Sequence, residues 1–509
     1  MNLAVLLPLA LAAPTAVDAA VDAITALPPY AHATIGIEAI DLATNEVVYA
    51  RSADRLFIAG STAKLVTAGA TLALLGPDHR FHTRVYRTGP VDTRGVLHGD
   101  LVLVASGDPN LSNRQRPDGT LAFVDTDHSY GGIDVDPVAG DPLTVVDQLA
   151  ARVAAAGIRR VDGHVRVDVS LFPEGEREGG TGVVISPVMV NDNVIDLAFT
   201  GGETEGAPVS LKVQPETSYV RVVNQLKTGP WDDDPHVDGD HVRLPDGSYV
   251  VTLTGTVPLK TAVLDSWGVP TPSRFAAVTL SERLRAHGVE ASPAPASEPL
   301  EPASGNVSYD AAHQLGEHVS LPLPEEVRVV LKVSQNLHAS ALPSVLGVAL
   351  DPGGSGPALQ RGFDRMRAWL EAAGLDHSGA VQSDGAGATA RFTPHFMASY
   401  LAWMARQPYA AAFRKALPVM GRDGTLSDVQ AKSPAAGHVT AKTGTYQIRD
   451  RLHRASVIEG KGLAGYIETA GGRRLAFAAY ANFVIAPPGG GKSVGEALGE
   501  IASALYSAY

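Results

Sequence analysis

The sequence predicts a mixed α/β domain that is interrupted by a long β-rich insert. Three observations carry this expectation. Apolar segments of helical pattern lie toward both ends of the chain, at 62–75 and again at 335–350, 358–373, 396–406 and 495–506. Between about 91 and 314, short apolar runs alternate with Gly, Pro and Asp turns, the texture of strands. That stretch of roughly 220 residues is too long to be a loop. The expected division is a signal segment at 1–20, an α/β domain assembled from 21–90 and 315–509, and an insert at 91–314 of one or two subdomains.

The elements follow in order. Residues 3–13 (LAVLLPLALAA) form an apolar run of signal-peptide length, too short to span a bilayer, with small residues at Ala16, Ala19 and Ala20. Export is expected from it, although no basic residue precedes the run. Residues 33–51 read as two strands about an Asn-containing turn. The segment 62–75 is apolar almost all round and reads as a buried helix, ended by Gly76-Pro77-Asp78. In the insert, 100–105 (DLVLVA), 164–169 (HVRVDV) and 249–253 (YVVTL) read as strands, and 291–304 (ASPAPASEPLEPAS) as a linker. Beyond it, 327–333 (VRVVLKV) is strand-like. Helix 335–350 carries Pro343, where a kink is expected. Late strands at 462–468 and 474–483 precede the last helix.

Composition narrows the function. The 509 residues are 45 % hydrophobic and 19 % charged, which fits a chain of folded cores and excludes a disordered or coiled-coil protein. Its net charge is −13 and it has no Lys/Arg-rich run, so nucleic acid is not an expected partner. With no cysteine, disulfides, Cys-ligated zinc, iron–sulfur clusters and thiol nucleophiles are all excluded.

Three short motifs then occur in an informative order. Ser61-Thr62-Ala63-Lys64 is the only S-x-x-K in the chain. On a helix this spacing puts ammonium and hydroxyl one turn apart on one face, so that a base can activate the serine. Alone the motif is weak, since about two are expected by chance in a chain this long. A capping role for Ser61 is equally open. Ser334-Gln335-Asn336 places a hydroxyl and an amide two residues apart on a turn, where both can face one cleft. Here too, Ser334 as a helix cap stays open. Lys442-Thr443-Gly444-Thr445 follows a short run that reads as a strand. A second Lys-Thr-Gly, at 227–229, is followed by Pro230, which has no N–H to offer an oxyanion, and reads as a surface turn. Ser304-Gly305-Asn306 shares the S-x-N pattern but reads as a linker turn.

S-x-x-K, S-x-N and K-T-G in this order resemble the signature of penicillin-recognising serine acyl-transferases. The wide first gap, filled by the β-rich region, resembles the class C low-molecular-mass penicillin-binding proteins, the D-alanyl-D-alanine carboxypeptidase/endopeptidase family. Further matches are Gly99-Asp100-Leu101 to Gly107-Asp108-Pro109, Asn191-Asp192-Asn193, Gly421 to Leu426, and Leu463-Ala464-Gly465-Tyr466. The resemblance implies an antiparallel sheet flanked by helices, the penicillin-binding transpeptidase-like or serine β-lactamase-like fold, with a large insert. It implies Ser61 as nucleophile, Lys64 as base with its pKa lowered by burial and by the Lys442 ammonium, and Ser334 as proton relay. Asn336 would hold the substrate amide, and Lys442, Thr443 and Thr445 the rest of the substrate. The N–H groups of Ser61 and Thr445 would form the oxyanion hole. Peptidoglycan peptides are the implied partners and β-lactams the implied covalent inhibitors, with no cofactor and no metal. Two positions depart from the family. Its D-G-S-G-L-S-R loop is replaced by Asp384-Gly385-Ala386-Gly387-Ala388-Thr389-Ala390-Arg391, and Ser340 stands where relatives often carry Glu.

Rival readings are weaker. Gly489-Gly490-Gly491-Lys492-Ser493 has a P-loop flavour, but Pro487 and Pro488 remove amides that such a loop must donate. Gly385 to Ala390 fits G-x-G-x-x-A, yet no acidic residue follows before Asp423 to hold a ribose. His79 and His82, and the aspartates at 232–234 with Asp238 and Asp240, read as surface rather than metal sites. A catalytically weak peptidoglycan-binding module, and a β-lactamase or esterase with the same nucleophile, remain as alternatives.

Overall fold

The computed structural model describes residues 15–302, 308–452, 455–486 and 493–509. Its α/β half is built on a five-stranded antiparallel sheet, in the spatial order Val47–Arg51, Thr34–Asp41, Arg474–Ala486, Ala455–Glu468 and Val439–Asp450. The first two strands are the expected pair, joined through Asn45, whose φ of 62° is one that Asn tolerates. The late strands run longer than their apolar patterns, because polar residues beyond those patterns still pair; Thr445 lies opposite Lys461.

Alternation along Arg474–Ala486 shows how the sheet is buried on both faces. Leu475, Phe477, Ala479 and Ala481 enter one core with the helices Ala16–Thr25 and Val494–Ala508. Ala476, Ala478 and Tyr480 enter the opposite core with Lys64–Leu75, Leu323–Lys332, Asn336–Leu350 and Pro394–Met404. The alanines let helices close on either side, while each fully buried large side chain such as Phe477 contributes roughly 1.5–3 kcal/mol. The turn Gly60–Ala63, which carries Ser61, contacts the strands Val439–Asp450 and Ala455–Glu468 and runs into the helix Lys64–Leu75 of this core.

Several expectations are corrected. Residues 327–333 lie in the helix Leu323–Lys332 and its C-cap Val333, not in a strand. Leu323, Val327, Val330 and Leu331 recur at helical spacing and are all fully buried, so burial of that face overrides the β-preference of the valines. The expected bounds 91 and 314 cut across one sheet. His82–Arg87 pairs antiparallel with Gln314–Val319, and both belong to one sheet with Leu101–Val104 and Val165–Asp168. Two helices unforeseen in the sequence, Thr144–Ala155 and Pro272–Ala286, share one apolar cluster with strands throughout the insert. The segment 291–304 does not hang free over its described part: Val165 N donates to the Ser292 carbonyl at 2.8 Å, and Ala294 is fully buried. Lys227–Gly229 is a short strand beside Tyr249–Pro258, and Thr228 Oγ1 accepts from Gly202 N at 2.8 Å. The 20/21 division falls inside the helix Ala16–Thr25, whose Val17, Val21 and Ile24 are buried and which packs against Val494–Ala508. Residues 1–14 lie outside the described residues, as do Ser304-Gly305-Asn306 and 487–492 of the P-loop-like stretch. Among the described residues no helix is long and apolar enough to cross a membrane.

Candidate active site

Ser61 sits in a 3-10 turn, Gly60–Ala63, that runs straight into the helix Lys64–Leu75. The turn is capped at Ala59 without a side-chain bond, so Ser61 does not serve as a helix cap. Its hydroxyl is turned to Lys64 instead. Lys64 Nζ donates to Ser61 Oγ at 2.7 Å, to Asn336 Oδ1 at 2.6 Å and to Ser334 Oγ at 3.3 Å. One ammonium therefore gathers the first two motifs.

Ser334 joins the helices Leu323–Lys332 and Asn336–Leu350 with φ of 66°. Left-handed backbone costs a residue with a Cβ about 1–2 kcal/mol, and glycine is the residue that avoids the cost. A serine there is held for its hydroxyl. The cap of the second helix is Gln335, whose side chain accepts from His338 N at 3.2 Å. Ser334 is likewise not the cap.

The third motif lies on the edge strand Val439–Asp450, and two glycines explain how closely it approaches. A Cβ on Gly444 would fall 2.2 Å from the Ala59 carbonyl oxygen and 3.1 Å from Ser61 N. A Cβ on Gly60, at φ of 51°, would fall 2.8 Å from Thr445 N. The Ser61 and Thr445 amides are thus brought to one seam. Thr443 Oγ1 shares a 2.9 Å hydrogen bond with Thr425, and Lys461 Nζ donates to Thr445 Oγ1 at 2.6 Å. A cavity of about 300 Å³ opens along this line, bordered by Ser61, Tyr130, Ser334, Thr443, Thr445 and Lys461. Lys442 is fully buried, and its Nζ donates to the Thr443 carbonyl at 2.8 Å.

Burial sets the charges. It brings Lys64 down to about 8, against the pull of Asp127, Glu178 and Asp384, which favour the ammonium. The repulsion between Lys64 and Lys442 is mutual and acts in the same direction as burial. Lys442 is held well below the usual lysine range by burial first, then by Lys64 and Lys461. A buried ammonium without an anionic partner is costly, and an incoming carboxylate relieves that cost.

The sequence reading missed three contributors. Tyr130, in the insert, accepts from Asn336 Nδ2 at 2.6 Å. Asp127 accepts from Asn336 N and from Gln335 Nε2, each at 3.2 Å. Lys461 comes from the strand next to the third motif. Behind them Asp192 bridges His128 at 2.8 Å and His338 at 3.0 Å, tying the insert to the helix of Asn336. No short motif announces Tyr130 or Asp127, whereas Lys461 lay in register with Thr445 once the strands were paired.

The G-x-G-x-x-A loop has another task. The Asp384 carboxylate accepts from the amides of Ala386 at 2.9 Å and Ala388 at 3.2 Å, and a Cβ on Gly387 would fall 2.3 Å from Gly60 O. Its amides are occupied and it braces the Ser61 turn, so it is no dinucleotide cradle. Ser340 and Ala388, which depart from the family pattern, border a separate cavity of about 390 Å³. Among the described residues no group of three or more His, Asp or Glu is arranged to hold a metal.

A serine bonded to a buried lysine one turn on, beneath an antiparallel sheet whose edge strand carries Lys-Thr-Gly, defines the class of penicillin-binding serine acyl-transfer folds. The chain belongs to the D-Ala-D-Ala carboxypeptidase 3 (S13) family of serine peptidases, which matches residues 17–499. It is 27 % identical over 449 residues to a D-alanyl-D-alanine carboxypeptidase of Actinomadura sp. (strain R39), covering 84 % of this chain and 75 % of the relative. It is 23 % identical over 461 residues to the D-alanyl-D-alanine carboxypeptidase DacB of Haemophilus influenzae, covering 88 % and 85 %. Among solved structures, penicillin binding protein 4 (dacB) from Haemophilus influenzae superposes with a TM-score of 0.72 at 21 % identity, covering 96 % of this chain and 98 % of that one. The same protein complexed with a novel β-lactam gives 0.69 at 20 % identity, with the same coverage. These matches bear out the expected fold.

Proposed function

We propose that this chain is an exported peptidase of the cell wall that cleaves D-Ala-D-Ala ends, or D-amino-acid cross-links, of peptidoglycan stem peptides, and that β-lactams acylate it at Ser61. The observation that carries the reading is the 2.7 Å bond between Lys64 and Ser61, with the Lys64 pKa lowered to about 8. A neutral Lys64 takes the Ser61 proton as Oγ bonds to the substrate carbonyl carbon. The Ser61 and Thr445 amides receive the developing oxyanion, at about 3–4 kcal/mol per donor. Ser334 hands a proton from Lys64 to the departing amine as the C–N bond breaks. Water then hydrolyses the acyl-serine by the reverse proton path. Asn336, fixed by Lys64 and Tyr130, holds the substrate amide, and Lys442 with Thr443 and Thr445 receives the terminal carboxylate. The domain assignment that accompanies this reading is an α/β peptidase half and an insert lying between residues 82 and 319.

Fluorescent penicillin offered to the purified protein beside a Ser61→Ala control tests it, followed by digestion of defined muropeptides. One stable label on Ser61 and release of D-Ala are expected. Label that persists in the control refutes the nucleophile. Rapid loss of label without peptide cleavage points to a β-lactamase, and no label at all to a non-catalytic binding module.

A further inference from the structure

Next to the catalytic cleft lies a larger cavity, of about 840 Å³, that acyl transfer does not use. The two share a wall. Asp125, Lys332 and Asp423 border the larger cavity, while Thr126, Ser334 and Thr425, one or two residues further along, border the cleft. In a chain of net charge −13 its lining is cationic, with Arg116, Arg328, Lys332, Arg414, Lys415 and Arg474 against Asp125 and Asp423. Part of that charge is used internally. Lys332 Nζ lies 2.6 Å from both Asp423 oxygens, Arg328 pairs with Glu325 at 2.7 Å, and Arg414 pairs with Glu468. Arg116 donates to the Phe123 carbonyl at 3.1 Å and lies in the field of Asp118 without a close ion pair, Lys415 and Arg474 form no ion pair within 4 Å among the described residues, and the buried Nε of Arg328 has no acceptor. The guanidinium groups of Arg116 and Arg328 lie 4.2 and 5.2 Å from the Phe123 ring centroid, which fixes both at the cavity wall. Small apolar groups, among them Ala410, Ala411 and Val419, line the rest.

A cavity of this size suits a peptide or a drug-sized ligand. Guanidinium and ammonium groups in excess over the carboxylates around them select carboxylates, and small apolar walls take methyl side chains. We propose that this cavity is an accessory subsite for a second, non-reacting peptidoglycan stem peptide, held by its free carboxylates and alanine methyls. The proposal rests on the assignment of the neighbouring cleft to peptidoglycan peptides. Occupation of both sites raises affinity for the polymer over a short peptide, because the second contact is made at high effective concentration.

Cosedimentation of Ser61→Ala protein with insoluble peptidoglycan, cleared of phosphodiester-linked polymers, reads binding without turnover. Adding R116E/K415E/R474E is expected to weaken that binding at least tenfold, and added salt to weaken the binding of the parent. In protein that keeps Ser61, the triple variant is expected to leave penicillin labelling and short-peptide hydrolysis within twofold, which also certifies its fold. Its KM for the polymer rises about tenfold. Equal sedimentation of the triple variant and its parent overturns the proposal. So does binding that is present only while the phosphodiester polymers remain. A wild-type protein that takes no penicillin label refutes the catalytic reading instead, and the cosedimentation still judges the cavity.

Discussion

The chain contains Lys-Thr-Gly twice, both times on a strand, and the two copies have opposite surroundings. Lys227 is exposed, on a short strand that runs parallel to its neighbour inside the insert, and the next residue, Pro230, has no N–H. Lys442 is fully buried, on the edge of the main antiparallel sheet, and Gly444 is pressed so close to the Ser61 turn that no side chain fits. The tripeptide carries no chemistry by itself. What gives one copy meaning is the partner its strand faces, a serine hydroxyl already bonded to a second buried lysine.

Four measurements break or sharpen this contrast. The largest effect lies at Ser61, which only the second copy faces. Ser61→Ala should lower turnover by at least about 10⁴-fold and abolish penicillin labelling, as mass spectrometry of the adduct would record. Next come the copies themselves. Lys442→Ala should lower kcat/KM for a D-Ala-D-Ala peptide by about 10²–10³-fold, whereas Lys227→Ala should stay within about 0.5 kcal/mol in both stability and rate. Equal losses from the two substitutions would end the comparison.

The third measurement is the pH profile of acylation. Lys64 acts as base only when neutral, and its folded pKa is about 8. Acylation should therefore rise through pH 8 and fall roughly tenfold for each pH unit below it. A rate flat between pH 6 and 8 would remove Lys64 from that role. The smallest expected effect is at Ser334. Ser334→Gly relieves the left-handed backbone and should stabilise the fold by up to about 1 kcal/mol in thermal unfolding, while it slows acylation.

The groups proposed for catalysis were legible because each lies in a short pattern whose spacing has a local meaning. Ser61 and Lys64 share one helical turn, and Lys442 and Thr445 share one strand. Tyr130 and Asp127 were not legible. They reach Asn336 from more than 200 residues away, and nothing around them in sequence marks a turn that will touch its amide. The sheet was readable from the alternation in Arg474–Ala486, whereas the valines of 327–333 misled because local preference yielded to a buried helical face. Similarly, the prolines of 291–304 suggested a free tether and instead lie along a strand, since an extended chain can bond an open edge wherever its own donors are not needed.

On the proposed division, the paired strands His82–Arg87 and Gln314–Val319 let the insert leave and rejoin the peptidase body at adjacent points, with His82 opposite Val319. Such a gateway behaves as a socket: material grafted between its two prongs can lengthen, shrink or be exchanged without moving the floor below. One tie of this graft to its host, beside Asp192 on His338 and the buried Phe172, Val183 and Met189, is the short stretch that delivers Asp127 and Tyr130. Chimeras that trade the outer sheets should keep their chemistry, and those that trade that stretch should not.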